Sequence, residues 1–314
     1  MARLAFLISA HTDAEHLRRL IGSLPREADK YIHVDLKADM DCFTAVTDDP
    51  RVHFTTRRTN IVWGSVLQVE YQMQLIRDVL DSGREYDYLI SMSGQDYPLW
   101  GNARINRYFD AAAGREILHG ICLAGLDYAR RDYTVYRPLN DRPWPFGSVR
   151  SKLRVALRHL LKAVGVRKQL SFTAGGRHYR LHKGGSWWAI TPRLARHALS
   201  EWEGNSALRR YFRTSFAPDE TFLQTVAFSS SEFAPRCTLH EGDYRSLAEL
   251  TPLTYIDYNP VIKILTEEDF PALVASGKMF CRKTVTGRSD RLMDMIDARR
   301  AEEDAAMGGA DGTE

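Results

Sequence analysis

Three polar clusters and one basic pair carry most of the chemistry available to this chain. The clusters His11-Thr12-Asp13, Asp35-Leu36-Lys37-Ala38-Asp39 and Ser93-Gly94-Gln95-Asp96 each follow a short apolar run. Later come Glu220, within Ala217-Pro218-Asp219-Glu220-Thr221, and the adjacent cations Arg282 and Lys283. A positioned carboxylate can take a proton from a hydroxyl. A guanidinium beside an ammonium can hold an anionic leaving group, the first as a fork and the second as a point charge. A glutamate at a helix start is also what the helix dipole favours, so for Glu220 residue type alone leaves both readings open. Gly184-Gly185-Ser186-Trp187-Trp188 adds two neighbouring tryptophans. On a strand they face opposite sides, one into the core and the other as a flat apolar surface suited to a sugar or base.

The elements that must position these groups follow from periodicity. Arg3–Ser9, Tyr31–Val34, Val52–Thr55 and Tyr88–Ile90 read as short buried strands. Between them lie a helix from Asp13 to about Leu24, capped by Asp13 or Thr12, and one over Ser65–Leu80 with Val66, Val69, Met73, Ile76 and Leu80 inward. Asn102–Ala112 is the next helix. Strand alternating with helix predicts a mostly parallel, doubly wound α/β sheet, whose ligands gather at the carboxyl ends of strands. Gly94 permits close backbone approach or positive φ, and Pro98 is expected to end regular structure.

Further along, Lys183–Ile190 reads as a strand, Pro192–Trp202 as a helix, and Pro218 as the start of another. Thr254–Tyr258 and Lys278–Lys283 are strand patterns, and a helix runs to about Arg300. The expected organisation is one domain over 1–300, with 1–115 binding nucleotide and 116–300 binding acceptor and diphosphate. The small, acidic stretch 301–314 is expected to be disordered. Ser148–Val164 is a basic amphipathic helix that either packs on the core with a solvated polar face or lies on an anionic membrane surface.

With 314 residues, 44% hydrophobic and 26% charged, the chain resembles an ordinary globular protein. A net charge of +3, from 43 basic against 40 acidic residues, gives no general attraction to nucleic acid. Cys42, Cys122, Cys237 and Cys281 form no C-x-x-C, so neither zinc nor a disulfide framework is indicated. The dinucleotide and P-loop glycine patterns and the nucleophile elbow are missing too. A nucleotide-sugar transferase, by contrast, needs the groups present: one carboxylate as base and positive charge on the departing diphosphate. Many such enzymes hold a metal with an Asp-X-Asp pair. Gln95-Asp96 offers one carboxylate, so Arg282 and Lys283 can do the metal's work.

Five motifs in order, Tyr31-Ile-His-Val-Asp35-Leu-Lys37, Ser93-Gly-Gln-Asp-Tyr-Pro98, Gly184-Gly-Ser-Trp-Trp188, Pro218-Asp-Glu220 and Phe280-Cys-Arg-Lys283, resemble the core-2/I-branching β-1,6-N-acetylglucosaminyltransferase and peptide O-xylosyltransferase family. The resemblance implies a GT-A-like (Rossmann-like) sheet flanked by helices, a UDP-sugar donor, inversion at the anomeric carbon and no metal or other cofactor. It implies Glu220 as catalytic base, Arg282 and Lys283 at the diphosphate, and Asp35 and His11 on the nucleotide side. Asp96, Gln95, Trp187, Trp188 and Asp219 are then expected in the substrate site, with Arg130 and Arg131 among the acceptor contacts. GlcNAc and xylose are the expected sugars, and a glycan or lipid-linked acceptor the expected partner. Animal members carry a signal anchor and disulfides. The lack of such features here suggests a bacterial-type cytoplasmic enzyme, peripheral at the inner membrane surface if Ser148–Val164 binds lipid. The alternatives are a non-catalytic carbohydrate- or nucleotide-binding protein and a membrane-surface adaptor.

Overall fold

The computed structural model describes residues 1–310 except 128, 243–245 and 259–260, with the side chains of residues 130, 131, 309 and 310 outside the description. Strands β1 (Leu4–Ala10), β2 (Asp29–Val34), β3 (Val52–Phe54) and β4 (Tyr88–Ser93) are parallel, in the spatial order β3-β2-β1-β4. Ala189–Ile190 adds an antiparallel edge to β4. This is the expected α/β sheet. Its strand order reverses between β1 and β4, the point at which sheets of this kind bind ligands at the carboxyl ends.

Both sheet faces are apolar because both are covered. Leu4, Phe6, Ile8 and Ala10 pack with Leu17, Leu20 and Ile21 of helix Ala14–Ser23 and with Ile105 and Phe109 of helix Asn102–Ala112. Ala5 and Leu7 point the other way, onto Val69, Met73 and Ile76 of helix Leu67–Asp81. Each large side chain so buried stabilises the fold by about 1.5–3 kcal/mol. The register sets Ser9 beside both His33 and Ser93, which aligns the polar ends of β1, β2 and β4.

Several expectations need correction. Pro98 does end regular structure, but as the last residue of a strand not expected from the sequence: β5 (Asp96–Pro98) pairs antiparallel with Phe280–Arg282, with Arg282 opposite Asp96. Proline is tolerated there because β5 is the edge of its three-stranded sheet. The strand expected over 183–190 is broken into His182–Lys183 and Ala189–Ile190, which belong to different sheets. The intervening glycines lie too close to their neighbours for side chains. A Cβ on Gly184 would run into the His119 carbonyl, and one on Gly185 would lie 2.7 Å from Thr251 Cγ2.

The expected disordered tail is helical through Ala310, since the last helix spans Asp290–Ala310. Its acidic residues cap another helix. Glu303 accepts from the Gly101 N–H at 2.6 Å, and Asp304 accepts from those of Asn102 and Ala103 at 3.0 and 2.9 Å. Helix Asn102–Ala112 has no side-chain cap of its own, so these carboxylates satisfy its unpaired donors.

Helix Val149–Ala163 does not pack into the core: only Ser151 is buried. All four cysteines are unpaired. Among the described residues, no helix is long and apolar enough to cross a membrane.

Candidate functional site

The first strand-to-helix loop anchors the site. Asp13, at φ 58°, caps helix Ala14–Ser23 by accepting from the His16 N–H, and it also accepts from Thr286 N and Thr286 Oγ1. His16 is buried. Its Nδ1 lies 2.8 Å from the Gly94 carbonyl and its Nε2 2.7 Å from Thr284 Oγ1. The carbonyl can only accept, so Nδ1 carries the proton and Nε2 accepts from Thr284 in the neutral ring. Burial lowers the His16 pKa and keeps that form. Gly94 has little room for a side chain, since a Cβ there would sit 3.2 Å from Ala10 Cβ. Close approach, not positive φ, is therefore the reason for glycine. The Gly94 turn and the segment after Lys283 are thus tied to one imidazole.

Asp96 is fully buried. One carboxylate oxygen accepts from Ser93 N at 2.7 Å and Trp187 Nε1 at 2.9 Å, while the other accepts from an Arg282 terminal nitrogen at 3.1 Å. Burial pushes its carboxyl above the usual range, and Arg282 and the Ser93 N–H oppose that shift. Arg282 stacks 5.4 Å from the Trp187 ring centroid. Asp96 therefore cannot touch a substrate. It orients Arg282 and Trp187, which can.

At the end of β2, Asp35 accepts from Lys37 N and Lys37 Nζ at 2.9 and 2.7 Å. Partial desolvation and the Arg282 guanidinium lower the His11 pKa, Asp35 opposes, and Lys37 and Lys283 reinforce the lowering. His11 thus feels the charges of Asp35, Arg282 and Lys283, which lie within electrostatic reach of it. Gln95 is nearly buried and contributes its carbonyl to Thr284 N at 3.1 Å.

Pro218–Glu220 forms a short 3-10 turn ahead of helix Phe222–Phe228. Glu220 is a quarter exposed, and its Oε2 takes a 2.8 Å ion pair from Lys183. Lys183 also donates to the Tyr133 hydroxyl at 2.9 Å. The ion pair engages one oxygen of Glu220, so Oε1 is available to receive a proton. Asp219 is buried, and its Oδ2 accepts from Ser186 Oγ at 2.8 Å and Gln68 Nε2 at 3.1 Å. Burial and then the Glu220 charge push its pKa up to about 7, against Ser186 and Lys183. Its Oδ1 is buried and has no hydrogen-bond partner among the described residues.

Two adjacent residues join the halves of this cleft, Ser186 bound to Asp219 and Trp187 to Asp96. Tyr71 spans the same gap. It interacts with Asp219, Ser9 and Arg282, and burial and the Asp219 charge raise its phenol pKa. Trp188 is not part of the cleft, being 1% exposed within the core. Arg130 and Arg131 lie outside the described side chains. Lys183, Tyr133, Ser186, Gln68, Tyr71, His16 and Thr284 were not singled out by sequence reasoning. Only Lys183, as the cation preceding the glycine pair, and Ser186, inside the Gly184–Trp188 motif, had a local signal. Among the described residues, no three His, Cys, Asp or Glu side chains gather as a metal site.

Part of the chain is similar to known proteins. The Core-2/I-Branching enzyme model matches residues 4–123. The chain is 23% identical over 209 residues to xylosyltransferase sqv-6 of Caenorhabditis elegans, covering 64% of this chain and 23% of that protein. It is 24% identical over 145 residues to human N-acetyllactosaminide beta-1,6-N-acetylglucosaminyl-transferase, covering 44% of this chain and 36% of that protein. The aligned part thus spans about a quarter to a third of these curated relatives. Among solved structures, Staphylococcus aureus TarS 1-349 in complex with UDP-GlcNAc superposes with a TM-score of 0.36 and 9% identity, over 96% of this chain and 71% of that one.

Proposed function

From the match of residues 4–123 to the Core-2/I-Branching enzyme model, we propose that this chain is a glycosyltransferase that moves a sugar from a UDP-sugar to an acceptor hydroxyl with inversion. Glu220 Oε1 takes the acceptor proton as the acceptor oxygen attacks the anomeric carbon. The bond from that carbon to the diphosphate oxygen breaks, its electron pair leaves with UDP, and Arg282 and Lys283 stabilise the departing charge. Lys183 holds Glu220 in place, and Trp187 floors the sugar. His11 and Asp35 sit on the nucleotide side. GlcNAc and xylose are the first candidates, because the relatives are named for those transfers.

The observation that carries this reading is the joined cleft, in which a half-open carboxylate and a buried-anchored guanidinium are linked through Ser186 and Trp187. We further propose that no metal is needed. Asp96, the carboxylate of the turn, already accepts from three donors, and Arg282 and Lys283 would supply the charge that a metal otherwise supplies. Glu220→Gln keeps the shape and removes the base, so turnover should fall by about a hundredfold or more with UDP binding retained. Wild-type turnover in that variant refutes the assignment, and loss of activity in excess EDTA refutes metal independence. Thermal stabilisation across a panel of UDP-sugars identifies the donor, since a ligand that binds the folded state raises Tm by mass action.

A further inference from the structure

Helix Val149–Ala163 is mounted the wrong way round for a helix of a soluble domain. Its partly or fully buried positions are Ser151, Arg154, Arg158 and Leu161, so a largely polar face turns toward the protein. Arg154 donates to the Leu139 and Arg142 carbonyls at 3.4 and 3.2 Å. The opposite face carries Val149, Leu153, Leu157 and Leu160, continued by Val164, at 74, 63, 37, 57 and 65% exposure, and Phe146 just before the helix is fully exposed. At 100° per residue these helix positions form one continuous apolar arc. A contiguous exposed apolar face of this kind marks an interaction surface.

Charge says what it fits. From Arg142 to Ser200 the chain has nine arginines, four lysines and no aspartate or glutamate, although the whole protein is close to neutral. Arg150 and Lys152 flank the apolar arc on its two sides, and among the described residues neither they nor Lys162 enter an ion pair. An apolar strip bordered by unpaired cations matches the surface of an anionic bilayer, with the strip among the acyl chains and the cations at the headgroups. We propose that the segment from Phe146 to Val164 docks this protein on an anionic membrane surface. A second copy of the chain would cover the apolar strip but would bring like charges against each other at its borders.

Sedimentation with phosphatidylglycerol-containing vesicles tests this, using the full chain. Wild-type protein is expected to pellet with them, to bind pure phosphatidylcholine at least tenfold more weakly, and to release as salt rises. Leu153→Asp/Leu160→Asp should reduce binding at least tenfold with Tm unchanged, since both side chains are already in water. Arg150→Glu/Lys152→Glu should reduce it similarly, by repulsion. No wild-type binding overturns the proposal. So does retained binding in the Leu153→Asp/Leu160→Asp variant, which would mean surface charge alone. A dimer abolished by that variant and unaffected by vesicles would assign the face to self-association instead.

Discussion

Asp96→Asn tests the electrostatic design of the cleft most directly. In the wild type one carboxylate oxygen accepts from Ser93 N and Trp187 Nε1 and the other from Arg282. An amide can keep only one side of this arrangement. If its oxygen stays with Ser93 and Trp187, its NH2 faces the guanidinium, donor against donor, and Arg282, only 14% exposed, loses its counter-ion. Arg282 Nε already lacks a hydrogen-bond partner among the described residues. Breaking a buried pair by removing one member costs about 3–5 kcal/mol, and the retained hydrogen bonds argue for the lower end. With an unfolding entropy of about 2.1 cal/mol/K per residue, a 314-residue chain then loses about 5 °C in Tm. Adding Arg282→Met removes the stranded cation, so the double variant should lose less than the sum of the two single variants. Thermal unfolding followed by circular dichroism measures all three. A Tm within about 1 °C of wild type for Asp96→Asn, or strict additivity in the cycle, refutes the buried-pair account.

Asp219 provides a pH test. Its folded-state pKa of about 7 lies above that of an unfolded aspartate. The unfolded chain therefore ionises first, and this group removes stability as pH rises from about 4 to about 7. Asp219→Asn mimics the protonated form, so its Tm should exceed that of wild type at pH 8 and converge with it near pH 4; a gap independent of pH refutes this. Lys283→Ala should weaken UDP binding by about tenfold in calorimetry, as expected for loss of a charge-assisted contact, and unchanged affinity removes Lys283 from the diphosphate site. Gly184→Ala forces a Cβ against the His119 carbonyl, which should cost about 1–3 kcal/mol and lower Tm by about 2–5 °C. A wild-type Tm would show that the close approach is not needed.

The first half of the fold was readable because its signals are local. Apolar runs bounded by polar turns located β1, β2 and β4, and apolar spacing located helices Ala14–Ser23, Leu67–Asp81 and Asn102–Ala112 nearly to the residue. The sequence by itself also determined that polar clusters follow the strands, and through its motif order it singled out Asp35, Asp96, Glu220, Arg282 and Lys283. Only the tertiary structure decided what each of them touches. Asp96 became the buried counter-ion of Arg282 through pairing of β5 with a strand some 180 residues away. Trp188 went into the core while Trp187 stayed partly exposed and bound to Asp96, in a segment the sequence presented as one strand. The acidic tail became a cap for a distant helix. The physical reason is common to all three: hydrogen-bond partners and burial are properties of contacts distant in sequence, and local periodicity cannot encode them.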